Sequence, residues 1–257
     1  MKERIPAEKL LQWQITAGVD ETIGDTPVNR FAPVETTETT PVAESSPAVF
    51  APAPAQPVSA APTIALAERA ATLDELRAAI ADFDGCPLKE TATNMVFGAG
   101  NPAARLMIIG EAPGAEEDRQ GLPFVGASGH LLDLMLKSIG LDRTQVYISN
   151  ILPWRPPANR KPSESETALF TPFVRRHIAL VKPDVLLLLG GSAVSALMNT
   201  NAGITKTRGR WMSYRDGDTV IDTLASFHPA FLLRTPAQKK LAWRDLLTVK
   251  KRLAVQP

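Results

Sequence analysis

Residues Leu106–Gly129 read LMIIGEAPGAEEDRQGLPFVGASG: an apolar run that stops at a glycine and gives way to a polar, glycine-rich loop. Five glycines and two prolines fall in the twenty residues from Gly110 to Gly129, which leaves a backbone with little helical choice and room for close approach to a ligand. Three further apolar runs, Val146–Ile151, Val185–Leu189 and Thr219–Ala225, read as strands, and each ends in a similar loop. Helical patterns alternate with them: Leu66–Phe83, Ser128–Ile139, Ser163–Val181, Ser192–Met198 and Pro236–Leu253. Ser163 with Glu166 forms a capping-box pattern at the start of one of these. Alternating strands and helices predict an α/β, three-layer sandwich with a central, mainly parallel four-stranded sheet.

Working outward, the N-terminal part of the chain has a different composition. Nine of the 22 prolines lie within the first 62 residues, among Ala, Thr, Ser and Glu. Residues 21–64 are expected to be a disordered linker, and 65–257 one catalytic domain. Before the linker, residues 1–20 contain a short candidate helix, Ala7–Ala17, for which a frayed end and a docking peptide for another protein both stay open. No apolar stretch is long enough to span a bilayer and no secretory leader is visible, so a cytoplasmic location (bacterial cytosol or nucleoid) is expected, with no membrane partner. The single cysteine, Cys86, excludes an internal disulfide and cannot build a metal site alone; His130, His177 and His228 are widely dispersed. A monomer is expected.

Charge is uneven. Residues 1–65 carry four Lys/Arg against eight Asp/Glu, and residues 200–257 carry eleven against four. A basic C-terminal quarter suggests an anionic partner on one side, although a solvated helix face rich in lysine has the same composition.

In open α/β sheets ligands bind beyond the C-terminal strand ends. The loops there begin with Gly110 and Glu111, with Asn150, with Gly190 and, after Ser226, with His228. Glu111, Asn150 and His228 should therefore converge on one rim. Phe124, an aromatic in a polar loop, needs something to pack or stack on.

These loops carry a resemblance. GEAPGAEEDRQGLPFVG, the SN of VYISN followed by RPPANRKP, and HPAFLLR are similar, in this order, to the signature segments of family-four uracil-DNA glycosylases. The resemblance runs from about Cys86 to Leu253. It implies an α/β fold, uracil-containing DNA as partner, and hydrolysis of the bond joining uracil to deoxyribose. On it, Gly110, Gly114 and Phe124 would shape the base pocket and Phe124 would stack on the extruded base. Asn150 would pair with O4 and N3–H of uracil, His228 would stabilise the departing anion at O2, and Glu111 would orient water or balance the cationic sugar. Ser128, Arg155, Arg160, Arg208, Arg210, Arg234, Lys239 and Lys240 are candidate phosphate contacts. Phe231, Leu232 and Leu233 are candidate wedges into the gap left by the base.

The sequence departs from that family at its 4Fe–4S cluster. Only Cys86 matches a ligand; the other three positions hold Phe83, Trp154 and Thr171. No cofactor is therefore expected, and Phe83 and Trp154 are expected to fill the space by packing. Two other readings use the same scaffold. One is a catalytically silent DNA- or nucleotide-binding module; the retained Glu111, Asn150 and His228 speak against it. The other, a relative that traps DNA through a histidine in an inserted basic loop, lacks that histidine here.

Overall fold

The computed structural model describes residues 61–217 and 219–255. The candidate N-terminal helix and most of the expected linker lie outside the described residues. Three helices come first: α1 (Ala61–Arg69), α2 (Leu73–Asp82) and α3 (Leu88–Thr91). Thus α1 begins within the expected linker, and the single helix expected over Leu66–Phe83 is two. The break is chemical: Thr72 Oγ1 accepts the Glu75 N–H at 3.2 Å, and the Glu75 carboxylate accepts the Ala71 N–H at 2.6 Å. Thr72 thus N-caps a new helix, and Glu75 ties its first turn back to Ala71.

There follow β1 (Ala99–Gly100), β2 (Leu106–Gly110), α4 (Ala115–Gln120), α5 (Ala127–Ser138) and β3 (Val146–Asn150). Next come α6 (Glu164–Val181), β4 (Val185–Leu189), α7 (Gly191–Met198), α8 (Ile204–Thr207), β5 (Trp211–Asp216) and β6 (Thr219–Ser226). The chain ends in α9 (Pro229–Arg234) and α10 (Lys239–Ala254). Strand order is β1-β3-β2-β4-β6-β5. The four expected strands are the central ones and run parallel; β1 and β5 add antiparallel edges. β5 was not among the expected strands because only part of one face is buried. Its cue is the turn at Gly217 into β6, where φ is +55°.

The central strands are covered on both faces, which is why they read as unbroken apolar runs. Met107, Ile109, Leu186 and Leu188 pack towards Phe170, Phe173 and Ile178 of α6. Ile108, Ile148, Leu187 and Leu224 pack with Leu132 and Leu136 of α5 and Leu246 and Val249 of α10. Each such aliphatic side chain contributes roughly 1.5–3 kcal/mol on burial. On the α6 side, buried His177 stacks on Phe97 at 4.3 Å between ring centres, and its Nε2 shares a 2.9 Å hydrogen bond with the Tyr147 hydroxyl.

From β2 the chain moves to one neighbour, β3, and from there crosses to the other neighbour, β4. The crevice beyond β2 is thus a topological switch point, the place where such sheets take ligands.

Candidate active site

A pocket of about 420 Å³ opens at that point, lined by Glu111, Gly114, Glu117, Phe124, Ser128, Asn150, Arg160, His228, Phe231 and Arg234, with a few flanking residues. The loops after β2, β3 and β6, far apart in sequence, supply its walls.

Phe124 is fixed by an unusual backbone. Its φ of +54° lies in the left-handed region, which side-chain-bearing residues seldom adopt. Arg143 braces it from the opposite side, with Nη1 donating to the Pro123 carbonyl at 3.0 Å and Nη2 donating to the Phe124 carbonyl. Asp133 holds Arg143 in turn at 2.6 Å. Two glycines make room. A Cβ on Gly129 would lie 1.7 Å from the Phe124 oxygen, and one on Gly110 would lie 2.6 Å from the ring and 2.5 Å from Asn150 Oδ1. Glu117 closes the loop: its carboxylate accepts the N–H groups of Val125 at 2.9 Å, Gly126 at 2.8 Å and Gly114 at 3.1 Å. The Phe124 ring ends 5.4 Å from that of His228, centre to centre.

Asn150 closes β3, in register with Gly110 of β2. It is 4 % exposed, and neither its Nδ2 nor its Oδ1 has a protein hydrogen-bond partner. An unpaired buried polar group costs about 1–3 kcal/mol. An amide that carries two of them at a pocket wall is set up for a ligand that offers one acceptor and one donor side by side.

His228 caps α9, and its Nδ1 accepts the Ala230 N–H at 3.2 Å. Burial pushes the imidazole down to about 4; the Arg234 guanidinium adds to this and the Glu117 carboxylate opposes it. The ring is therefore neutral at pH 7. With Nδ1 accepting, its proton resides on Nε2, which leaves a fixed N–H donor. Gly190, which lies beside His228, has φ +96°, a conformation that favours glycine.

The other expected contacts separate. Ser128, Arg160, Phe231 and Arg234 line the pocket, with Arg160 also paired to Glu166 at 2.6 Å. Arg155 lies outside it, donating to Asn159 Oδ1 at 2.8 Å; Arg210 is exposed and also outside. Leu233 is 42 % exposed. Two expectations are corrected. Leu232 is 1 % exposed and packs with Phe227 and Ala242, so it is a core residue and cannot act as a wedge. Arg208 is not available for phosphate, because Asp245 holds it beside the Leu241 carbonyl. Asp245 itself is 2 % exposed and also accepts from Ser226 Oγ at 2.7 Å; burial pushes its carboxyl up, while Ser226 and Arg208 oppose the rise. Arg208→Ala should strand that carboxylate and destabilise the protein by about 3 kcal/mol, measured by urea unfolding.

Sequence reasoning missed Glu117 and Arg143. The first had a cue, since Gly114-x-x-Glu117 is the capping-box spacing with glycine at the cap. Nothing in the local sequence marks Arg143, whose carbonyl partners lie some twenty residues away in the chain.

The positions that the resemblance assigns to cluster ligands do not fit a 4Fe–4S group. Phe83 meets Phe170 and Phe173 edge-on at 6.2 and 5.9 Å. Cys86 and Trp154 are buried in the same core, and burial pushes the Cys86 thiol up, away from thiolate. Thr171 Oγ1 donates to the Thr167 carbonyl at 2.7 Å. One thiol, two aromatic rings and an occupied hydroxyl supply at most one of the four thiolates a cluster requires.

A pocket with an aromatic face, an unpaired amide and a neutral histidine, at the switch point of a parallel sheet, defines an α/β protein whose site can pair with a donor and an acceptor side by side. Comparison with known sequences makes the class particular. The model of the Uracil DNA glycosylase superfamily matches residues 97–247, and the chain belongs to that family. It is 36 % identical over 191 residues to the type-4 uracil-DNA glycosylase of Sulfurisphaera tokodaii, covering 72 % of this chain and 86 % of the relative. The enzyme of the same name from Thermotoga maritima is 43 % identical over 150 residues, 58 % of this chain and 77 % of the relative. That from Archaeoglobus fulgidus is 37 % identical over 169 residues, 64 % and 85 %.

Proposed function

We propose that this chain is a uracil-DNA glycosylase, which hydrolyses the N-glycosidic bond of deoxyuridine in DNA and so starts base-excision repair. The observation that carries this reading is the unpaired Asn150 amide. Uracil offers an acceptor at O4 beside a donor at N3, which pairs with the amide Nδ2–H and Oδ1; cytosine presents the reverse order. The extruded base lies against the Phe124 ring.

As the C1′–N1 bond breaks, its electron pair leaves with the base and the sugar becomes cationic. The His228 Nε2–H donates to the charge that gathers on O2, and because the ring is already neutral and oriented, no reorganisation is needed at that moment. Glu111, in the pocket wall, orients the water whose oxygen bonds to C1′ and whose proton is then released, and its charge balances the cationic sugar. Ser128, Arg160 and Arg234 take phosphates at the rim, with Arg155 and Arg210 farther out, while Phe231 and Leu233 enter the space the base vacates.

On this reading the enzyme acts as a monomer in the cytosol and without an iron–sulfur cluster, its place taken by packing around Phe83 and Trp154. No described helix is long and apolar enough to cross a membrane. The test is release of free uracil from oligonucleotides that contain uracil, with cytosine- and thymine-containing strands and His228→Ala as controls. Uracil release that survives in His228→Ala at the wild-type rate would remove that residue from the mechanism. Wild type that binds DNA but releases no uracil would point to the silent module. Iron and sulfide at stoichiometric levels in active protein would contradict the cluster-free reading.

A further inference from the structure

Helix α10 carries charge that neither the fold nor the pocket uses. Between Thr223 and Pro257 the only acidic residue is Asp245, which is buried against Arg208 and Ser226. Over the same stretch Lys239, Lys240, Arg244, Lys250 and Lys251 are exposed and have no carboxylate partner among the described residues. Lys239 and Lys240 stand in the first turn, where there is no acid. Cations at that end oppose the helix macrodipole, so fold stability does not account for them.

Trp243, one turn further on, is 49 % exposed. Spacings of three and four residues place Lys239 and Lys240 next to Trp243, and Lys240 next to Arg244, on one side of the helix. A bare indole among unpaired cations is the combination by which proteins hold a nucleic-acid strand: the ring packs on a base or sugar, and the cations sit on phosphates. The surface also continues the pocket rim. Arg234 lines the pocket, and Lys239 follows five residues later through the turn Pro236–Gln238. Five residues span at most about 18 Å, which is about five nucleotides along one duplex strand.

We propose that the exposed side of α10, formed by Lys239, Lys240, Trp243 and Arg244, is a second DNA contact that grips the backbone on one flank of the target nucleotide. The inference rests on DNA being the substrate of the pocket. It predicts a footprint longer than the pocket needs, on one side only.

The test compares DNA in which uracil has only a few flanking nucleotides with DNA that extends two helical turns on each side. The proteins are the full chain and its Lys239→Ala/Lys240→Ala and Trp243→Ala variants. On long duplex the double variant should bind about tenfold more weakly, and its log K against log salt should be shallower by about 2, at ~0.9 for each phosphate no longer neutralised. On short DNA the penalty should vanish. Quenching of tryptophan fluorescence by long DNA should disappear in Trp243→Ala. Thermal melting should show the double variant at least as stable as wild type, since two charges that oppose the helix dipole are gone.

Undamaged long duplex is the separate arm. Because the surface reads backbone, the same weakening should appear there whether or not any uracil is excised. Failure of the wild type to release uracil therefore counts against the pocket reading alone. Equal losses on short and long DNA, an unchanged salt slope, or quenching that persists in Trp243→Ala would each overturn the second contact. So would full DNA binding by the variants with capture of a protein in its place.

Discussion

Asn150→Leu is expected to lower kcat/KM for uracil release by on the order of 10²-fold while leaving the protein at least as stable as wild type. Both halves come from the same two atoms. In the free protein Nδ2 and Oδ1 are buried and unpaired, so folding bears their desolvation without a protein hydrogen bond in return. A leucine, with the same heavy-atom count and branching, removes that burden. In the complex the two atoms would make two hydrogen bonds at the base edge, each worth about 1–1.5 kcal/mol net, and their loss corresponds to a factor of 30 to 150, roughly. Opposite signs for activity and stability distinguish a ligand-reading amide from a structural one. Steady-state kinetics on a uracil oligonucleotide and urea unfolding of the same preparation give both numbers. If Asn150→Leu unfolds more easily and excises normally, the amide belongs to the fold and not to the substrate.

Acid should unfold this protein early. Burial holds the imidazole of His177 down to about 3, with Arg77 reinforcing it, and that of His228 down to about 4. In the unfolded chain both return to about 6.5. The native state thus keeps both rings unprotonated at pH values where the unfolded chain binds two protons. Their contribution is complete above about pH 7 and drains away as pH falls through 6.5 towards 4 and 3. By pH 5 each ring has removed about 2 kcal/mol, together a large part of the ~5–15 kcal/mol of a typical domain. Urea midpoints at pH 7, 6 and 5 measure the loss. Replacing the hydrogen-bonded pair, as His177→Phe with Tyr147→Phe, makes both partners apolar and should flatten the acid limb by roughly half. Stability that holds level from pH 7 to pH 5 would show that these rings are not buried as described.

What could be read from the sequence follows a physical line. β2, β3, β4 and β6 announce themselves because a strand buried on both faces has to be apolar throughout. The ends of those strands are fixed by topology, so Glu111, Asn150 and His228 could be placed on one rim before any coordinates. Residues that act by being held elsewhere were harder. Arg208 looked like a free cation because its partner Asp245 lies 37 residues away. Leu232 and Leu233 are adjacent and chemically identical, yet a single helical turn buries one and exposes the other. The left-handed Phe124 left no trace in composition, since its conformation is imposed by Arg143, Gly129 and Glu117 from outside the residue.

The packing of Phe83 against Phe170 and Phe173 also bears on how the protein is made. On the cluster-free reading, every atom that fills this region is encoded in the chain and arrives with translation. Maturation then needs no delivered iron, no assembly machinery and no protection of a cofactor from superoxide. Cells starved of metal or under oxidative attack, which are also cells whose DNA is being damaged, would go on producing finished repair enzyme.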